Sequence, residues 1–215
     1  MGFLDEKIAA LQKQSYNLSK YNELEKDNIE MKQENNISKL SQDEVNLAIR
    51  SGTLNIDNLN LIFENIECFE GKVTIPMIKD FFDNYQEDYG INCWEKKHEL
   101  SVLLIKTELN NQNDEIGNLI KELNKFYEEN NIYVEIIEEK EEENESYTRF
   151  IVSTRMPTAL DYMYQYYVCV NYKNESIMLL FTCLEKDKKQ WEKIMIGIGE
   201  LMEIKEESLE INEVD

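Results

Sequence analysis

Histidine, proline and glycine are scarce in this chain, and the common nucleotide-binding motifs are missing. The 215 residues include 1 histidine, 2 prolines and 7 glycines. A histidine-based catalytic triad therefore has a single candidate base, His98. No Gly-x-Gly-x-x-Gly segment or Walker-type lysine loop is present to hold a phosphate. The low proline and glycine content predicts long regular elements and few loop-rich regions.

The residues that could carry catalysis or hold a metal are far apart in the sequence. His98 stands in a charged turn, and we interpret it as exposed rather than as the partner of Cys93 in a Cys–His pair. One histidine and scattered cysteines do not have the spacing of a zinc site, and the acidic runs lack the glycine of a calcium loop. The sequence predicts no catalytic residue, metal site or cofactor.

The cysteines and the first residues of the chain predict a reducing compartment. Cys68, Cys93, Cys169 and Cys183 are widely spaced, which favours free buried thiols. The chain starts with acidic residues and has no secretory signal, and no apolar run approaches the roughly 18 residues of a membrane span. We therefore expect a cytoplasmic protein.

Acidic residues outnumber basic ones by 44 to 23, for a net charge of −21. This charge argues against nucleic acid and anionic membranes as partners and favours a basic protein surface. The competing interpretation is that the negative charge serves only to keep the protein soluble. Residues 1–50 hold nine acids and seven bases, a net charge of −2, which leaves −19 for the rest. A basic partner should therefore meet the domain that follows.

The first 52 residues predict a helical arm that is separate from the main domain. Within residues 1–36, apolar residues at helical spacing form one narrow stripe, which suits docking on a partner or another copy. We take Leu4, Ile8, Leu11 and Leu18 as candidate partner-binding residues. A second helix should begin at the capping box of Ser41 and end at Gly52.

The residues from 53 to 204 predict an α+β domain, and residues 205–215 an acidic tail. Strands are expected at 59–67, 72–76, 91–95, 100–109, 132–138, 147–154, 162–172 and 176–184, with helices at 114–130 and 188–204. Pro76 should end its strand, and residues 140–145 should form a charged hairpin tip. The apolar runs at 100–109 and 176–184 indicate strands that are covered on both faces.

Two further features concern aromatic and glycine residues. Tyr164, Tyr166 and Tyr167 lie on one tyrosine-rich strand, where they could form a recognition surface or pack in the core, the interpretation we favour. In the helix at 114–130 we expect Phe126 to face inward, with Tyr127 at the edge. Gly197 and Gly199 should allow the last helix to approach the sheet closely.

Two segments resemble the Mog1/PsbP-like fold over about residues 58–204. They are the opening Phe69-Glu70-Gly71-Lys72-Val73-Thr74-Ile75-Pro76 and the closing Leu180-Phe181-Thr182-Cys183-Leu184, followed by a helix that carries Trp191. The resemblance implies an antiparallel sheet sandwiched by helices. It implies a binding or assembly role, in a group that includes bacterial domains of unknown function, and it transfers no functional residue.

Together these observations predict a non-enzymatic cytoplasmic accessory protein that binds a protein partner. Such a protein could mask a basic partner, as an immunity protein or a chaperone does. One alternative is a structural subunit of a larger assembly, which would dock or form homo-oligomers through its N-terminal helix. A hydrolase with an unrecognised carboxylate site is a third hypothesis.

Overall fold

The computed structural model describes residues 36–56, 59–108, 116–130, 132–143, 147–158 and 161–205. Contacts divide the chain after Asn36, and the second unit runs from Ile37 onward. The apolar residues of the stripe predicted within residues 1–36 all lie outside the described residues. The predicted acidic tail also lies outside them, apart from Lys205.

Most of the described chain is antiparallel β-structure, accompanied by three α-helices. The helices are α1 (Gln42–Ser51), α2 (Ile116–Glu129) and α3 (Lys188–Glu200). The strands are β1 (Thr53–Ile56), β2 (Leu59–Cys68), β3 (Val73–Ile78), β4 (Asn84–Asp88), β5 (Ile91–Lys96), β6 (Leu100–Glu108), β7 (Glu135–Glu143), β8 (Thr148–Pro157), β9 (Tyr162–Tyr172), β10 (Glu175–Leu184) and β11 (Glu203–Ile204). They form a small sheet of order β1-β2-β3-β11 and a large sheet of order β4-β5-β6-β10-β9-β8-β7.

Helix α1 has the ends that the sequence predicts. The Ser41 side chain accepts from the Glu44 N–H in a capping box, and Gly52 closes the helix in the left-handed conformation at φ 85°. However, α1 is not part of a separate arm, since its Val45 and Ile49 are buried in the main core together with Ile37. The compact unit therefore begins at Ile37 rather than at residue 53.

Side-chain alternation gives the large sheet two different faces. Directly paired residues of neighbouring strands share a face. We call the side with the Tyr166–Phe181 pair the core face and the side with the Tyr167–Leu180 pair the outer face. Phe181 belongs to the main core with Trp191 of α3, Val45 of α1 and residues of the small sheet. The main core therefore lies on the core face.

Two glycines of α3 allow close packing, but only Gly199 does so against the sheet as predicted. A Cβ on Gly199 would lie 2.8 Å from Cγ2 of Val168, so this glycine brings the helix against the sheet. A Cβ on Gly197 would lie 2.6 Å from Cδ1 of Ile49, so this second glycine faces α1 instead of the sheet. The helix ends at Glu200 rather than at residue 204, because Glu203 and Ile204 pair with β3.

Pro76 does not end its strand, contrary to the prediction. Strand β3 continues to Ile78, and Pro76 pairs with Asn65 of β2. The carbonyl of Lys72 accepts from Lys205 on the β11 side, and strand residues at even spacing turn their polar groups to the same side. The nitrogen of Pro76 therefore faces the β11 side of the strand. Because β11 pairs only with Val73 and Thr74, no described strand lies opposite Pro76 on that side, and its missing N–H costs no hydrogen bond between strands.

Two stretches of the large sheet were also predicted wrongly. Residues 84–88 form β4, which is absent from the expected strands because all five residues are exposed and leave no apolar pattern. Just before this strand, Phe81 packs against Trp191 of α3, with ring centroids 5.2 Å apart. Strand β7 continues to Glu143, so the residues expected at a hairpin tip are largely paired with β8.

Candidate protein-binding face

The tyrosines of β9 pack inside the domain and do not form a recognition surface. Tyr164 and Tyr166 lie on the core face, where they are 2% and 5% exposed. Tyr167 lies on the outer face and is 2% exposed. Burial raises the pKa of all three phenols. The candidate role of these tyrosines in partner binding is thus wrong, because α3 and α2 pack over them.

A buried network of hydroxyl groups attaches α2 to the outer face. The hydroxyl of Tyr127 donates to Oε1 of Gln165 at 2.8 Å and lies 2.6 Å from the hydroxyl of Tyr167. Tyr167 and Thr154 donate to the same Gln165 oxygen, each at 3.1 Å. Since each buried hydroxyl has a partner, this network fixes the position of α2 over β8 and β9.

At the C-terminal end of α2, Tyr127 faces the sheet in place of Phe126, contrary to the prediction. Tyr127 is 5% exposed, whereas Phe126 is 57% exposed. The sequence pattern predicted Phe126 as the inward residue because phenylalanine is more hydrophobic than tyrosine. In the structure the inward position goes to Tyr127, whose hydroxyl finds buried partners that phenylalanine cannot use.

Beyond α2, the outer face presents a continuous apolar surface across three strands. The surface consists of two rows of paired residues, which we call the apolar strip: Ile91, Ile105 and Met178 in one row, and Cys93, Leu103 and Leu180 in the other. Five of the six are partly buried, and Ile91 is 40% exposed. The strands β6 and β10 are therefore fully buried only on the core face, contrary to the prediction that both faces are covered.

Charges are distributed unequally between the two faces of the large sheet. The five basic residues of its strands all lie on the core face, namely Lys96, Lys106, Lys140, Arg149 and Arg155. The outer face carries five acids and no base among its strand residues, namely Asp88, Glu95, Glu139, Glu141 and Glu143.

The core-face charges are largely compensated, whereas the outer-face charges are not. Arg149 lies 3.8 Å from Glu142, and Lys106 lies 3.9 Å from Glu175, both on the core face. Asp88 and Glu95 flank the apolar strip and form no salt bridge with another described residue. The strip thus lies in a negative field that attracts cations.

A cavity of about 190 Å³ lies where the apolar strip meets α2. Ile105 and Met178 of the strip form part of its wall, together with Phe150 of β8 and Leu119 of α2. Thr107, Asn171 and Ser176 add polar groups to the wall, and two exposed acidic residues, Glu108 and Glu122, line it as well. The cavity therefore has a mixed lining of apolar, polar and acidic residues.

The predicted turn histidine shares a cavity wall with one of the cysteines, Cys183. His98 is exposed in the β5–β6 turn with φ 64°, and it borders a cavity of about 200 Å³ together with Cys183. Burial raises the pKa of Cys183 to about 12, and it also raises the pKa of Cys93. Both groups are thiols at neutral pH, whereas a nucleophilic cysteine requires a lowered pKa.

Metal and membrane features follow from the described residues alone. Among them, no three His, Cys, Asp or Glu side chains are grouped to hold a metal ion. None of the three α-helices has the length and apolar content needed to cross a lipid bilayer. The candidate residues Leu4, Ile8, Leu11 and Leu18 lie outside the described residues.

The apolar strip was not recognised in the sequence, although one signal for it is present. In β6 and β10, buried core-face residues alternate with partly buried strip residues. Because both sets are apolar, each strand is a continuous apolar run in the sequence, and the run does not show which side is exposed. Only the pairing of β6 with β10 shows that the two half-buried sides are adjacent. The acidic residues Asp88 and Glu95 indicate an exposed outer face once the pairing of β4, β5 and β6 is known.

Comparisons with known proteins show similarity in structure and none in sequence. No protein-family model matches the chain, and no curated protein matches it. The solution structure of cyanobacterial PsbP (CyanoP) from Synechocystis sp. PCC 6803 matches at a TM-score of 0.55 and 6% identity, over 66% of this chain and 92% of that one.

Two crystal structures match less well. A protein of unknown function from Pseudomonas aeruginosa, PA94, described as a putative regulator, has a TM-score of 0.47 and 7% identity, over 68% of this chain and 99% of that one. A protein from Bacteroides thetaiotaomicron VPI-5482 has a TM-score of 0.45 and 11% identity, over 67% of this chain and 49% of that one. The likeness to PsbP confirms the fold that the sequence resemblance predicted: the chain has a PsbP/Mog1-like fold.

Proposed function

We propose that this chain is a non-catalytic cytoplasmic protein that binds a basic protein partner on the outer face of its large sheet. The observation that carries the proposal is the apolar strip, which is half-buried on a face whose strand charges are all acidic. A partner with an apolar centre and surrounding lysine or arginine residues would complement both features.

The two features have separate physical roles in binding. Covering the strip removes apolar surface from water, which contributes about 25 cal/mol for each Å² buried. Interfaces commonly have such an apolar centre with a polar rim. The carboxylates of Asp88 and Glu95 accelerate the encounter with a cationic partner and disfavour acidic proteins. This combination supports a masking role of the immunity or chaperone type.

The arrangement of the helices is part of the same proposal. Helix α3 packs on the core face at Val168 of β9, and α2 is bonded to the outer face at Tyr167 of the same strand. Both contacts support the α/β/α arrangement that the resemblance implies. Among the described helices, α2 lies over β8 and β9 and meets the strip on β5, β6 and β10 only at the cavity, which supports the strip as the surface that a partner covers.

Charge reversal on matched faces tests the proposal. We expect the variant Asp88→Lys/Glu95→Lys to lose at least about tenfold of its affinity for a protein captured by the wild-type chain at low salt. The variant Glu135→Lys/Glu138→Lys is the control, because it makes the same change in charge on exposed core-face positions of β7. Equal losses in both variants would show that net charge, and not the outer face, attracts the partner.

A further inference from the structure

The cavity at the inner end of the apolar strip has the size of a pocket for one side chain. Its volume is about 190 Å³, which exceeds the roughly 150 Å³ of a protein cavity that holds a benzene ring. The walls come from both sides of the site, with Leu119 on α2 and Phe150, Ile105 and Met178 on the sheet. A phenylalanine, leucine or methionine side chain fits this volume.

The cavity is continuous with the proposed binding face. Ile105 and Met178 belong to the strip and also line the cavity, so a segment lying across β6 and β10 passes its mouth. The buried hydroxyl network of Tyr127 holds α2 in place, so the pocket has a fixed wall. A preformed pocket binds an anchor residue with little cost for reorganisation.

The charges around the cavity indicate which residues should flank the anchor. Glu108 and Glu122 line it, and both are exposed. An apolar side chain with lysine or arginine close to it in sequence would fill the cavity and place its cations near these carboxylates. An acidic neighbour would be repelled.

We infer that the partner binds by inserting one large apolar side chain, flanked by basic residues, into the cavity between α2 and strands β6 and β10. This inference rests on the proposed function and names the chemistry of the partner. In this arrangement the anchor supplies most of the affinity, while the strip supplies shape complementarity.

Synthetic peptides provide a defined probe. We compare the binding of Lys-Lys-Gly-Phe-Gly-Lys-Lys with that of the same peptide carrying alanine in place of phenylalanine, using titrations followed in methyl NMR spectra of the full chain. The phenylalanine peptide should bind about tenfold tighter, a difference of about 1.4 kcal/mol, and should shift the methyl signals of Ile105, Leu119 and Met178.

Filling the cavity is the second arm of the test. In Ile105→Trp and in Leu119→Trp, which fill the cavity from opposite walls, the tenfold difference between the two peptides should disappear. Leu103→Trp is the matched control, since Leu103 lies in the strip but does not line the cavity. The methyl spectrum of each free variant shows whether it is folded, and either filled variant suffices.

Three results would overturn the inference. Equal affinity of the two peptides would overturn it and leave the proposed function standing, and so would a tenfold difference that persists in the filled variants. If the wild-type chain bound neither cationic peptide, both the inference and the proposed function would be wrong.

Discussion

The phase of α2 gives a sharp prediction, because Tyr127 and Phe126 are neighbours with opposite surroundings. In Tyr127→Phe the helix loses the hydrogen bond to Gln165 at 2.8 Å and the contact with the Tyr167 hydroxyl at 2.6 Å. Each buried hydrogen bond contributes about 0.5–1.5 kcal/mol. Tyr167 keeps its bond to Gln165, so no donor is stranded. We therefore expect a loss of about 1–2 kcal/mol in the free energy of unfolding.

Urea unfolding followed by far-UV circular dichroism measures this loss as a lower midpoint at constant slope. Phe126→Leu is the control, since Phe126 is 57% exposed and surface substitutions change stability by less than about 0.5 kcal/mol. A double-mutant cycle that combines Tyr127→Phe with Tyr167→Phe should give a coupling free energy between the two hydroxyls of about 0.5–3 kcal/mol.

Removing the shared acceptor should cost more than removing one donor. Gln165→Leu leaves the hydroxyls of Tyr127, Tyr167 and Thr154 without their common partner, so we expect a loss of about 3 kcal/mol. If Tyr127→Phe were as stable as the wild type while Phe126→Leu lost more than about 1 kcal/mol, Tyr127 would not be the residue that attaches α2 to the sheet.

Two further predictions concern packing and pH. Gly199→Ala should lower the free energy of unfolding by about 1–3 kcal/mol, measured by heat or urea, because its Cβ would meet the stiff, buried Val168. Gly197→Ala should cost less, since its Cβ would meet the flexible end of the Ile49 side chain, and equal costs would contradict this. Burial raises the thiol pKa of Cys68 to about 11 and of Cys183 to about 12 from 9.0, so the unfolded chain releases these protons first and stability should fall as pH rises from 9 toward 12. Urea midpoints at pH 7.5 and 10 for the wild type and for Cys68→Ala/Cys183→Ala check this, and a wild-type midpoint no more sensitive to pH than that of the variant would contradict it.

The sequence predicts elements whose signal is local. The capping box of Ser41 and the left-handed Gly52 were identified because each depends on residues a few positions apart. Tyr166 and Tyr167 lie on opposite faces of β9, as the two-residue period of any strand requires whatever its neighbours are. Strand β4 was missed because its exposed residues carry no such pattern.

The candidate site could not be predicted in the same way. The apolar strip exists because β10 lies between β6 and β9, and the partners Leu103 and Leu180 are distant in the sequence. Alternation shows which residues share a face of one strand, but it does not show which strands are adjacent. The separation of acidic and basic residues between the faces depends on the same pairing.

Footprinting of carboxylates shows whether the partner binds the outer face of the large sheet. The chain, alone and in complex with its captured partner, is treated with a carbodiimide and glycine ethyl ester, and the modified residues are quantified by mass spectrometry. If the partner binds the outer face, modification of Asp88 and Glu95 should drop in the complex, while Glu135 and Glu138 on the core face should be modified as before. Protection of Glu135 and Glu138 with no change at Asp88 and Glu95 would contradict the account.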